Sequence, residues 1–80
     1  MKPGLQELYL NAMRKERLPA TFFLVNGFQM KGIVQAFDPY TLVVQSNGSQ
    51  ELIFKHAIST IIPSKPIDLT LLDAEAAEAE

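Results

Sequence analysis

Five short stretches rich in β-branched and aromatic residues follow one another along this chain, and turn residues separate each stretch from the next. They span residues 21–25, 28–37, 41–44, 52–54 and 58–62. Asn26-Gly27 is typical of a tight hairpin, Asp38-Pro39 begins a second turn, and the polar run 46–49 predicts a third. Gly32 lies inside the second stretch, where a glycine often marks a bend or a bulge. The pattern therefore predicts a small, strongly bent, five-stranded antiparallel β-barrel, so the fold class is mainly β.

A helix is predicted over residues 4–17, ahead of the strands. Apolar residues recur there at spacings of three and four and form one stripe, made of Leu5, Leu8, Tyr9, Ala12 and Met13. Pro19 is expected to end the helix, because the residue before a proline is displaced from helical geometry. The other face carries Arg14, Lys15 and Arg17 within one turn. Such a face is usually only solvated, but this cluster also has the charge to neutralise phosphates.

The chain is short for a domain that must be stable alone. At 80 residues, a single core contributes only a few kcal/mol of net stability. One histidine and no cysteine exclude both a disulfide framework and a structural zinc site, so association of subunits is expected. No apolar run approaches the roughly 18 residues that cross a membrane, and the N-terminus lacks a hydrophobic signal core. We therefore predict a soluble, unprocessed protein, and the absence of cysteine fits a reducing cytoplasm.

Charge is distributed unevenly along the chain. All 7 Lys and Arg residues precede residue 66, whereas more than half of the 9 Asp and Glu residues follow it. A basic body with an acidic tail is found in proteins whose partner is a polyanion. Two prolines in the segment 63–66 prevent it from continuing a central strand. The sequence thus predicts a domain over residues 1–66 and an acidic, disordered tail over residues 67–80, where Ala and Glu also favour a transient helix.

Lys55 and His56 lie side by side at the break between the last two strand-like stretches. Phe54 precedes them, and Tyr40 lies near them if the strands pair as predicted. A cation beside aromatic rings is a general arrangement for holding an anion or an unstacked base. The alternative is a structural or solvent-facing histidine.

Catalytic chemistry is poorly supported by the sequence. Ser59 and Thr60 follow His56 closely, but strand residues at that spacing point elsewhere, and no acid is placed to orient the histidine. The glycines do not have a phosphate-cradling spacing, and no carboxylate cluster suits a metal. We therefore predict a binding protein without enzymatic activity, cofactor or metal.

Several segments together resemble the Hfq family of bacterial Sm-like RNA chaperones. The run from Lys55 to Thr60 is similar to the second signature motif of that family. Upstream, the segments 5–6, 10–11, 14–17, 24–28 and 37–38 stand in the family's order and spacing. The resemblance covers about residues 5–66 and implies an Sm-like fold in which the fourth strand of one subunit joins the fifth strand of the next, closing a homohexameric ring.

The resemblance also implies three RNA-binding surfaces. The proximal surface, for uridine-rich RNA, comprises Gln6, Asp38, Tyr40, Lys55 and His56. The rim comprises Asn11, Arg14, Lys15, Arg17 and Phe37. The distal surface, for adenine-rich RNA, comprises Phe23, Leu24, Asn26, Gly27, Phe28, Gln29, Met30, Lys31 and Thr60. The implied partners are small regulatory RNAs, mRNAs, copies of the same chain and RNA-processing proteins, with no membrane. The implied role is small RNA to mRNA pairing in post-transcriptional regulation and the stress response.

Some positions leave alternatives open. Pro39 stands where the family usually has a polar or basic residue, which removes one potential proximal contact. Gln50 or Glu51 occupies the adenine-contacting position of the distal surface, because the loop before Leu52 is longer than in some relatives. Core packing is the alternative role for Phe23, Leu24 and Met30. A ring that serves only as a protein-interaction scaffold is the alternative to RNA binding.

Overall fold

The computed structural model describes residues 4–70, which form one helix and a five-stranded antiparallel sheet. The elements are α1 (Leu5–Lys15), β1 (Pro19–Leu24), β2 (Gln29–Phe37), β3 (Thr41–Ser46), β4 (Ser49–Phe54), a 3-10 turn (Lys55–Ala57) and β5 (Ile58–Pro63). The strand order is β4-β3-β2-β1-β5. The predicted helix and five bent antiparallel strands are confirmed, and the sheet stays open because β4 and β5 form its two edges.

The core lies between α1 and one side of the sheet. Leu10 and Met13 of the helix are 2% and 0% exposed, and they join Phe22, Val34 and Val44 in one buried cluster. The predicted apolar stripe is therefore only partly right, since it omitted Leu10. It also included Leu5, which is 67% exposed at the first helical position. The cause is that the central turns of the helix cover the sheet, whereas its first turn borders a groove between α1 and β5.

The helix ends two residues earlier than predicted, and Pro19 is not the direct cause. Arg17 adopts a left-handed conformation with φ 51°. The Arg17 N–H donates to the Arg14 carbonyl at 3.2 Å, and the Leu18 N–H donates to the Met13 carbonyl at 3.0 Å. This pair of bonds is a Schellman motif, which satisfies the last carbonyls of the helix and turns the chain toward β1. Glycine usually occupies the left-handed position, so an arginine there is strained.

All three predicted turns connect antiparallel strands, but the first and the third differ in form from the expectation. Asn26-Gly27 belongs to a longer loop, in which Gly27 has φ 95° and the Leu24 N–H donates to the Phe28 carbonyl at 2.8 Å. The two-residue turn is Asn47-Gly48, where φ values of 48° and 80° fit a type I′ turn. Because this turn is so short, β4 begins at Ser49, three residues before the predicted start.

Gly32 is required by a close backbone approach, and the bulge lies elsewhere. A Cβ built on Gly32 would lie 2.5 Å from both the Gln45 carbonyl oxygen and the Val44 Cγ1 atom. The register between β2 and β3 shifts between Val34 and Ala36, which makes Gln35 the extra residue. The sheet therefore bends at two neighbouring positions, and Gln35, which follows the buried Val34, has its side chain on the solvent side.

Residues 71–80, which hold most of the predicted disordered tail, lie outside the described residues. At the start of that predicted tail, Ile67 is half-buried and packs against the core. Within residues 4–70, no helix has both the length and the apolar character needed to span a membrane.

Candidate nucleic-acid interface

The 3-10 turn places Lys55 and His56 beside the turn between β2 and β3. Thr41 pairs with Phe54 at the end of β4, and the Lys55 N–H donates to the Tyr40 carbonyl at 2.8 Å. The rings of Phe54 and His56 stack with centroids 5.7 Å apart and planes 25° apart. Phe54 is 53% exposed and Tyr40 is 77% exposed. Three aromatic rings and one ammonium group are thus gathered at one end of the sheet, as the sequence predicted.

The ammonium group of Lys55 is buried and has no hydrogen-bond partner among the described residues. Its Nζ atom lies 5.5 Å from the centroid of the Phe37 ring, a cation–π arrangement that offsets part of the cost of leaving water. An ammonium whose three donors are unused is poised to donate to a carbonyl or phosphate oxygen. Phe37, predicted for the rim, therefore lies beneath Lys55 and packs against the core.

Asp38 holds the turn that presents Tyr40. Its Oδ1 atom accepts hydrogen bonds from the Tyr40 N–H at 2.8 Å, the Thr41 N–H at 2.7 Å and the Thr41 hydroxyl at 2.9 Å. The Tyr40 and Thr41 N–H groups lower the pKa of Asp38 most, and the Thr41 hydroxyl and the positive charge of Lys55 lower it further. Pro39 has a fixed φ and lies between Asp38 and Tyr40, which further reduces the freedom of this turn. Asp38 thus orients Tyr40 by ordering the turn.

A groove of about 360 Å³ runs between α1 and β5. Gln6 and Tyr9 line it from the helix, and Lys55 lines it from the 3-10 turn. The structure therefore brings Gln6 and Lys55 to one groove, with Tyr40 and His56 exposed beside it. On the strand side, the Ser59 hydroxyl donates to the Phe23 carbonyl at 3.1 Å, so this hydroxyl is engaged with the backbone.

The predicted rim cations border a second groove. Arg14, Lys15 and Arg17 are exposed, and they line an open groove of about 790 Å³ together with side chains of the sheet. Arg14 donates to the Asn11 Oδ1 atom at 2.6 Å, which holds its guanidinium on the helix surface. Gln35 and Gln45 line the same groove, and sequence reasoning did not select them. Polar residues at outward positions of β2 and β3 were the available signal.

The predicted distal residues divide between the surface and the core. Phe23 pairs with Gln29 on one side and with Thr60 on the other, and Thr60 also lines the groove beside α1. Leu24 and Met30 pack against the core, as the core-packing alternative expected. The remaining distal residues, which are Asn26, Gly27, Phe28, Gln29 and Lys31, are exposed.

The Phe28 ring is the most prominent apolar feature of this surface. It is 70% exposed, and its N–H donates to the Asn26 Oδ1 atom at 3.0 Å, which orders the turn beneath it.

Gln50 and Glu51 both lie in β4, so the predicted loop at this position is wrong. Gln50 pairs with Gln45, and its amide donates to Gln35. Glu51 pairs with Val44 and projects to the opposite side of the sheet. Gln50 is therefore already engaged with its neighbours on the rim side.

Comparison with known proteins agrees with this architecture. The model of the Hfq protein family matches residues 5–68. The chain is 60% identical over 64 residues to the RNA-binding protein Hfq of Clostridium perfringens, covering 80% of each chain. It is 50% identical over 75 residues to the RNA-binding protein Hfq of Pelotomaculum thermopropionicum, covering 94% of this chain and 90% of that protein.

A solved structure is also similar. The crystal structure of the pleiotropic translational regulator Hfq superposes with a TM-score of 0.72 and 41% sequence identity, covering 74% of this chain and 98% of that chain. Because the family model covers most of the chain and the fold agrees, this protein belongs to the Hfq family, whose members have the Sm-like fold.

Proposed function

We propose that this protein is a cytoplasmic RNA chaperone that binds single-stranded RNA. In this role it promotes pairing of small regulatory RNAs with mRNAs, and so acts in post-transcriptional regulation. Relatives that are 50–60% identical bear the name RNA-binding protein Hfq, which supports the proposal. The observation that carries it is the buried Lys55 ammonium, with no hydrogen-bond partner among residues 4–70, beside the exposed Tyr40 ring.

The proximal surface has the chemistry to bind uracil. Uracil presents two carbonyl oxygens, which can accept hydrogen bonds from the Lys55 ammonium and from the His56 ring. Its face can stack on Tyr40, which Asp38 holds in an ordered turn. Stacking of a base on an aromatic side chain contributes about 1–3 kcal/mol. One such pocket binds weakly, so affinity depends on repeating it.

The distal surface has a different character. Phe28 and Phe23 offer rings to stack on, and the Gln29 amide offers both a donor and an acceptor. An amide of this kind pairs well with adenine, which presents a donor beside an acceptor. Adenine-rich RNA is therefore the proposed distal ligand, and the rim cations are proposed to hold phosphates between the two surfaces.

A ring of six subunits would supply the repetition. The edge strands β4 and β5 each have six residues, and they expose Leu52, Phe54 and Ile62. Unpaired edges with exposed apolar side chains favour pairing with another copy, so β4 of one subunit is proposed to join β5 of the next. Repeating each pocket around such a ring raises the overall affinity through multivalency.

Titration of labelled uridine-rich and adenine-rich oligonucleotides, at several salt concentrations, tests the function. Lys55→Ala should weaken the binding of uridine-rich RNA at least about tenfold more than the binding of adenine-rich RNA, and Phe28→Ala should do the reverse. Lys65→Ala is the matched control, because it removes an exposed lysine that lies outside the groove. If the wild-type chain assembles but binds neither oligonucleotide at low salt, the ring is a protein-interaction scaffold.

Native mass measurement should give six times the chain mass of 8.9 kDa, and a stable monomer at micromolar concentration would contradict the ring.

A further inference from the structure

Three glutamine side chains from three neighbouring strands form a hydrogen-bonded chain on the outer side of the sheet. The Gln50 amide N–H donates to the Gln35 Oε1 atom at 3.3 Å, and the Gln35 amide N–H donates to the Gln45 Oε1 atom at 2.9 Å. They come from β4, β2 and β3 respectively. We refer to these three residues as the glutamine chain.

The central member of the glutamine chain lies at the bulge in β2. Gln45 and Gln50 face each other directly across β3 and β4. Gln35 is the extra residue of the bulge, between the Val34–Val44 pair and the Ala36–Val43 pair. Because Val34 is buried, alternation places Gln35 on the solvent side of the sheet. As the extra residue it has no single β3 partner, and its amide bonds to both Gln45 and Gln50.

The chain of amides leaves hydrogen-bonding groups at both ends. Each bond is donated in the same direction, so among the described residues the terminal groups are the Gln45 amide NH₂ and the Gln50 Oε1 carbonyl. The bonds within the chain hold these groups in place before any ligand arrives. An ordered amide that presents a donor or an acceptor is the type of group that reads a base edge.

The glutamine chain adjoins the rim cations. Gln35 and Gln45 line the same open groove of about 790 Å³ as Arg14, Lys15 and Arg17. This volume lies within the range of about 300–1,000 Å³ that is usual for small-ligand sites. The Arg14 guanidinium donates to the Asn11 Oδ1 atom at 2.6 Å, and the Arg17 backbone is left-handed at the end of the helix. One groove therefore combines positive charge with hydrogen-bonded neutral amides.

We infer that the glutamine chain reads the base of a single nucleotide whose phosphate lies on Arg14, Lys15 and Arg17, and that adenine is the preferred base. Cations fix a phosphate without distinguishing sequence, whereas amides distinguish bases by their donors and acceptors. Glutamine is well matched to adenine, because its amide donates to one ring nitrogen and accepts from the exocyclic amino group. The inference rests on the proposed RNA binding and adds sequence preference to a rim that would otherwise bind any RNA.

The test compares three labelled oligonucleotides of equal length: oligoadenylate, oligouridylate and an abasic strand that retains the phosphates. Gln45→Ala should weaken the binding of oligoadenylate about fivefold or more, and the binding of the abasic strand by less than about twofold. The triple change of Arg14, Lys15 and Arg17 to alanine should weaken all three ligands, because it removes phosphate contacts. In that triple background, the effect of Gln45→Ala on oligoadenylate should fall below twofold.

Gln29→Ala is the matched control, since it makes the same change on the distal surface, away from the groove. Its effect on oligoadenylate should persist in the triple background. Gln35→Ala breaks both bonds of the glutamine chain, so it should lower the affinity for oligoadenylate as Gln45→Ala does. It provides a second variant if Gln45→Ala unfolds.

Two results would overturn the inference. One is that Gln45→Ala lowers the affinity for all three strands equally, and the other is that Gln45→Ala still lowers the affinity for oligoadenylate after the three cations have been replaced by alanine. Wild-type protein that binds none of the strands at low salt would instead refute the proposed RNA binding itself.

Discussion

The substitution Gly32→Ala tests whether the bend of the sheet depends on a backbone contact. The added Cβ would lie 2.5 Å from the Gln45 carbonyl oxygen and from the Val44 Cγ1 atom, whereas ordinary contacts begin at 3.4 Å. β2 and β3 would have to separate by nearly an ångström at the point where Ile33 pairs with Gln45. Overpacking of this kind costs about 1–3 kcal/mol.

Part of that cost is offset, because alanine loses less backbone entropy than glycine in a strand, by about 0.5–1 kcal/mol. The contact involves a carbonyl oxygen of the sheet, which cannot rotate away as a side chain could, so we take the upper part of the range. The expected net loss is about 2 kcal/mol of unfolding free energy. For a domain of this size, that loss corresponds to a decrease of roughly 8–16 °C in Tm.

Thermal unfolding followed by circular dichroism is the assay, at one fixed protein concentration because assembly couples stability to concentration. Gly4→Ala is the control for added volume, since nothing lies within 4 Å of its Cβ and its φ is −74°. Gly48→Ala is the control for backbone strain, since its surroundings are equally open but its φ is 80°. The loss of stability should be largest for Gly32→Ala, intermediate for Gly48→Ala and smallest for Gly4→Ala.

If the Gly32→Ala variant has the same Tm as the Gly4→Ala variant, the explanation by a close backbone approach is refuted. The double variant Gly32→Ala/Val44→Ala then separates the two contacts. Removing Val44 Cγ1 leaves the Gln45 carbonyl in place, so Gly32→Ala should cost nearly as much in the Val44→Ala background. Full rescue by Val44→Ala would assign the cost to the side chain instead.

Two further predictions follow from the strained helix end and from the ordered Asp38 turn. Arg17→Gly should raise the unfolding free energy by about 1 kcal/mol, because glycine tolerates the φ of 51°, and it should lower the slope of log affinity for RNA against log salt by about one. An unchanged slope would mean that Arg17 makes no phosphate contact. Asp38→Ala should lower Tm at neutral pH. The difference in Tm between this variant and the wild type should become smaller as the pH falls from about 3.8 past the lowered pKa of Asp38, where the wild-type carboxylate becomes protonated. The sign follows because a carboxylate with a depressed pKa stabilises the fold only while it is ionised. A Tm difference that stays constant from pH 7 to pH 2 would show that the charge of the Asp38 carboxylate does not stabilise the fold.

Local sequence patterns were sufficient for the elements of this fold and for placing Lys55 and His56 beside Phe54 and Tyr40. The helix and five strands follow from apolar spacings of three to four and from short β-branched stretches, both of which depend only on neighbouring residues. The Lys55-His56 pair could be placed at a break between strands, because charged residues interrupt the apolar pattern there. The run from Lys55 to Thr60, together with the upstream segments in the family's order and spacing, was also sufficient to recognise the family, which the match over residues 5–68 confirms.

Tertiary structure decided which side chains meet. The bulge at Gln35 shifts the register by one residue, and an alternating pattern cannot reveal such a shift, so the glutamine chain beside the rim cations was invisible in the sequence. The type I′ turn at Asn47-Gly48 is a local feature that the Asn-Gly dipeptide favours, and it places Gln50 and Glu51 in β4 instead of in the predicted loop. The burial of the Lys55 ammonium over Phe37 depends on two segments that are 18 residues apart in sequence. The register shift and the burial of Lys55 arise from long-range pairing, because register and burial are properties of the packed sheet and not of any one strand.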